Sequence, residues 1–128
     1  MGAFNLDGTT TLVALGPAGR RTSTLTGAAF DVRDYIGTGA IVQQASAAVA
    51  GTAPTLNGKI QDSADGSTGW ADVAGAVFAE VTDAAANEKI GIAFNAVKRY
   101  LRYVGTIAGT DTPTFDFACA LIGRKQIV

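Results

Sequence analysis

The sequence has no histidine and a single cysteine, Cys119, among its 128 residues. Lacking His, it lacks the commonest general base and metal ligand. A lone Cys excludes an intramolecular disulfide and any cysteine-built metal cluster. Charged residues make up only 16% and the formal net charge is −1, a field too weak to steer nucleic acid. No Ser-x-x-Lys spacing, nucleophile elbow, Gly-x-Gly-x-x-Gly or Walker-type loop occurs. The longest apolar stretch is far shorter than a membrane span, and Met1–Gly8 is too short and mixed for a secretory core. These absences lead to the expectation of a soluble, intracellularly made, non-catalytic protein without cofactor, metal, nucleic acid or membrane partner.

What is present is hydrophobic and turn-rich. Hydrophobic residues reach 48%, much of it Ala, alongside 16 Gly and three Pro. The large core candidates are therefore few: Phe30, Phe78, Phe94, Phe115 and Phe117. Period-two alternation dominates. It sets Leu56, Gly58 and Ile60 against Asn57, Lys59 and Gln61, and aligns Ile90, Ile92, Phe94 and Ala96. Near the C-terminus it aligns Phe115, Phe117, Cys119 and Leu121, and with that spacing Cys119 reads as a small buried apolar residue. One-sided alternation predicts antiparallel sheet with one buried face.

Further strands are expected at Thr10–Leu15, Arg21–Thr26, Ala40–Ala47, Val77–Val81 and Arg99–Ile107. Gly16–Gly19, Gly37–Gly39, Gly51–Pro54, Asp65-Gly66 and Gly109–Pro113 read as the turns between strands. The expected fold is all-β, an antiparallel two-sheet sandwich of about eight strands in jelly-roll arrangement. It occupies residues 9–128 as one domain, preceded by a tail or arm at 1–8 that carries Phe4 and Leu6. A helix competes at Ala71–Ala86 on Ala density, opposed by Gly75 and the strand formers around it, and a short helical turn is expected at Asp83–Asn87.

Two segments stand out. In Gln61–Val73 the Asp65-Gly66 pair predicts a reversal, because Asp bonds its own backbone and Gly accepts positive φ, and Trp70 starts the returning segment. Asp62, Asp65 and Asp72 invite a calcium reading, but the alternating acidic spacing of an EF-hand loop is absent, and a solvated turn accounts for them. In Lys98–Tyr103 basic and aromatic residues interleave, as on some single-strand-binding surfaces. Alternation splits Arg99, Leu101 and Tyr103 from Tyr100, Arg102 and Val104, so neither side is a clean basic patch. Arg99 is expected to pair with Asp31 or Asp34, or to serve with Arg102 at an interface, where Arg is enriched.

The Gln61–Val73 turn resembles hairpins of discoidin-like carbohydrate-binding domains and, more loosely, the Asp-box turn of propellers. Taken with Lys98–Val104, the stretch from Leu25 to Gly123 looks like tailed-phage head decoration, or capsid cement, proteins. That resemblance implies a sandwich on the capsid exterior that binds the major capsid protein, usually as a homotrimer at local threefold positions and sometimes as a dimer. It also implies roles for Asp65, Gly66, Trp70, Arg99, Tyr100 and Arg102 within the sandwich, and synthesis in the host cytoplasm before incorporation into the virion. Phe4 and Leu6 of the arm, with Arg99 and Arg102, are the interface candidates. The alternatives are another virion subunit, such as a tail or adaptor protein, or a carbohydrate-binding module using Trp70, Tyr35, Tyr100 and Tyr103.

Overall fold

Alternating side chains commit the backbone to extended structure, and a computed structural model, which describes residues 10–126, resolves eight strands. They are β1 (Thr10–Arg21), β2 (Leu25–Thr26), β3 (Phe30–Asp31), β4 (Tyr35–Ala45), β5 (Ala50–Ser63), β6 (Ala71–Val77), β7 (Ala86–Ala93) and β8 (Tyr100–Lys125). Every pairing among them is antiparallel. The all-β, antiparallel expectation holds. The N-terminal arm with Phe4 and Leu6 lies outside the described residues.

The expected division into two separate sheets is modified by β8. This 26-residue strand runs through the whole molecule. Its first half pairs with β2, β3 and β5, and its second half with β1 and β4. The path β6-β5-β8-β4-β7 therefore links the strands into one sheet that curls until it nearly closes as a barrel. The free edges of β6 and β7 face each other without a ladder, across a cleft lined by Val73, Gly75, Gly91 and Ile92.

Four glycine-containing stretches expected as turns are instead bends inside long strands. Register shifts fall at Gly16–Gly19 in β1, between Ile36 and Ala40 in β4, and between Ala50 and Thr55 in β5. Strand β8 bends where Gly109, Asp111 and Thr112 take positive φ. A bulge lets a strand turn a corner without ending, which is how a short chain wraps a barrel. Two further expectations change. Ala71–Ala86 holds β6, a loop and the start of β7 with no helix, and Asp83–Asn87 runs from that loop into β7, while Phe94–Ala96 forms a 3₁₀ turn that ends the β7 alternation.

The core lies between the inward faces. Leu56, Ile60, Leu101, Tyr103, Phe115 and Leu121 are fully buried, as the alternation required, with Phe78, Phe94 and Phe117 nearly so. Phe30 packs only at its margin. Cys119 is buried, and desolvation pushes its thiol pKa up to about 12. At the centre the Tyr103 hydroxyl donates to Gln43 Oε1 at 2.6 Å, both side chains being shut off from solvent. Glycine at position 58 leaves room for this pair, since a Cβ there would run into Gln43 Oε1 and the Tyr103 hydroxyl and force them to shift.

Candidate functional site: two contrasting outer faces

The Asp65-Gly66 reversal forms as the sequence indicates. Ser63, at the buried end of β5, donates from Oγ to the Thr68 carbonyl at 2.5 Å and accepts the Gly66 amide at 3.1 Å. Asp65 then accepts the Ser67 and Thr68 amides at 2.9 and 2.8 Å and the Thr68 hydroxyl at 2.6 Å. These donors, the Thr68 hydroxyl foremost, hold the Asp65 carboxyl far below the usual carboxylate range. Gly66 takes φ +80° and lies against the Tyr100 ring, where a Cβ would come within 3.1 Å. Asp65 is thus spent on its own turn. Among the described residues no cluster of three or more His, Cys, Asp or Glu side chains is placed to hold a metal.

Trp70 leads from this turn into β6 and is half-buried. Its ring carries the Arg102 guanidinium at 4.3 Å. Arg102 also donates from Nε and Nη2 to Gln61 Oε1, at 2.9 and 2.8 Å. Gln61 Nε2 donates to Asp72 at 2.9 Å, and Lys59 Nζ lies 3.0 Å from the same carboxylate. The Gln61 bond, then Lys59, lowers the Asp72 pKa. At the opposite margin of this face Arg99 pairs with Asp31 at 2.9 Å, one of the two partners expected for it, and that bond lowers the Asp31 pKa. The outer face of β5, β6 and the first half of β8 is therefore polar and cross-linked to itself. Arg99 and Arg102 are engaged within it.

The other outer face has a different character, which the sequence pattern did not single out. Strand register stacks its outward side chains in rows. One row is Leu12–Ile122–Ala40–Gly91, the next Ala14–Ala120–Val42–Lys89, and a third Ala118–Gln44–Asn87. Leu12 is 71% exposed, Ile36 42% and Ile122 39%. Among the described residues, charge on this face lies at the margins: Arg124 at one end, Lys89 on the β7 edge, and the Arg20–Asp116 pair at the other end. The available signal was the outward phase of the same alternation that defined the core, in which Ala118, Ala120 and Ile122 replace the usual polar residues.

Of the aromatics proposed for glycan contact, Tyr103 and Tyr35 are buried. Tyr35 shares a 2.6 Å hydrogen bond with Thr11, and the Tyr103 hydroxyl is spent on Gln43. Tyr100 and Trp70 remain half-buried, covered by Gly66 and Arg102 respectively. The four rings therefore form no exposed platform.

No family model and no curated protein matches the sequence. Among solved structures, the fold is shared with the PBSX exported protein XepA: TM-score 0.60 at 16% identity, over 100% of this chain and 41% of that one. The chain thus spans about two-fifths of the length of that protein. A structure of infectious bursal disease virus, Gx strain, aligns at TM-score 0.41 and 14% identity, over 96% of this chain and 36% of that one. The likeness to XepA is one of fold.

Proposed function

We propose that this chain is a virion structural subunit of the capsid-cement kind, which binds the outer surface of the major capsid protein lattice and stabilises the mature head. The observation that carries the reading is the apolar outer face of β1, β4, β7 and the second half of β8, exposed on a chain with a well-filled core of its own. A contiguous exposed apolar patch of this kind is often a functional contact surface. The sequence resemblance to head decoration proteins and the fold shared with a PBSX protein support the choice of a phage particle as the setting.

In this reading the protein works without catalysis. The jelly-roll description belongs to the same proposal, with the β5 and β4 groups of strands acting as two layers joined through β8. Each subunit adds a modest contact, and several contacts per homo-oligomer, a trimer in the favoured arrangement, give avidity. The test compares particles assembled with and without the chain. Disruption of the deficient particles at lower temperature supports the cement role, and equal stability of the two removes it.

A further inference from the structure

The composition of the apolar face and the charges around it say what kind of surface fits it. Three rows across four strands cover roughly 20 Å by 20 Å, about 400 Å², from standard strand and residue spacings. A stable interface between two chains buries about 800 Å² on each partner. This face alone is thus too small to hold any single partner stably; it suits a contact that several linked copies repeat on a lattice, where avidity makes up the deficit.

Charge points the same way. Lys89 and Arg124 form no salt bridge with any described residue, while Asp116, the carboxylate at the far end, is occupied by Nε and Nη2 of Arg20 at 2.8 and 2.9 Å. Two copies meeting face to face would bring these basic margins together, with Asp116, the carboxylate at the far end of the described face, already paired, an unfavourable arrangement.

We infer that the β1–β8–β4–β7 face docks on a hetero-partner of defined chemistry: a repeated protein surface with an apolar centre and carboxylates at its rim, placed to meet Lys89 and Arg124. The inference rests on the capsid reading, in which that surface belongs to the shell lattice. Small side chains at Ala14, Ala40, Ala118 and Ala120 let a partner approach the sheet closely, with Leu12 and Ile122 as the larger contacts. The Trp70–Arg102–Gln61–Asp72 face then points away from the shell.

The experiment measures sedimentation of the full chain with purified particles assembled without it. Wild type and Thr106→Asp, which adds a carboxylate to the opposite face, are expected to bind alike. Leu12→Asp and Ile122→Asp are expected to weaken binding at least tenfold. Lys89→Glu with Arg124→Glu is expected to weaken binding more at low salt than at high salt. Circular dichroism checks that each variant keeps its fold, and Leu12, at 71% exposure, is the site least able to disturb it.

Binding by Leu12→Asp at wild-type strength, with loss in Arg102→Ala, overturns the face assignment and leaves the capsid reading standing. Failure of the wild type to bind any particle overturns the capsid reading, and the partner with it. Self-association of the free wild-type chain in sedimentation equilibrium, abolished by Leu12→Asp, makes a second copy the occupant and overturns the hetero-partner.

Discussion

Single side chains decide how tightly this core packs. Tyr103 and Gln43 are both fully buried and satisfy each other. Removing the hydroxyl leaves the amide oxygen without its donor, so Tyr103→Phe is expected to cost about 1–2 kcal/mol in urea unfolding. Gly58→Ala is expected to cost more, because its Cβ meets both members of the pair. Cys119 should resist thiol reagents in the native protein and react only on unfolding, as its burial and raised pKa imply.

Asp31, Asp65, Asp72 and Asp116 all have carboxyl pKa values held below the ordinary range. Their stabilisation is complete above the unfolded carboxyl pKa of about 4 and is lost as pH falls through the lower folded values. Thermal melts across pH 2–6 should show a plateau above about pH 4.5 and a decline below it. Asp65→Asn should lower the plateau and shallow the decline.

At the scale of elements, β8 carries the fold. Two neighbours on it test the alternation directly. Leu121 is fully buried and Ile122 faces outward at 39% exposure. Leu121→Ala is expected to destabilise by about 2–5 kcal/mol, whereas Ile122→Ala should stay within about 0.5 kcal/mol in the free chain. Equal costs at the two positions would contradict the assigned faces.

Much of this was legible in the sequence. The phase of Leu56–Ile60 and Phe115–Leu121 gave the inward faces, and Asp65-Gly66 gave its turn. Less legible was where strands end. Gly16–Gly19, Gly37–Gly39, Gly51–Pro54 and Gly109–Pro113 carry turn chemistry, yet each is a bend within a continuing strand, since positive φ and missing Cβ atoms serve bulges and reversals alike. Local sequence cannot separate the two. The difference lies in whether the ladder resumes with the same neighbour, and for β8 that depends on strands far away in the chain.

For the whole molecule, the two outer faces differ in character. One is polar and satisfied internally by Trp70, Arg102, Gln61, Asp72 and Lys59. The other is largely apolar, with Lys89, Arg124 and the Arg20–Asp116 pair at its margins. Arg99 and Arg102 drew attention in the sequence because basic and aromatic residues interleave there, yet the ladder absorbs them. The apolar face drew none, because its members are single small residues on four strands that only the register brings together.

Imaging of particles that carry this chain, at a resolution that places its strands, tests the central claim most directly. Density is expected on the outside of the head, with Leu12, Val42 and Ile122 turned toward the shell and Trp70 toward solvent. Density on the tail, or a subunit seated on the shell through its Trp70 face, would contradict it.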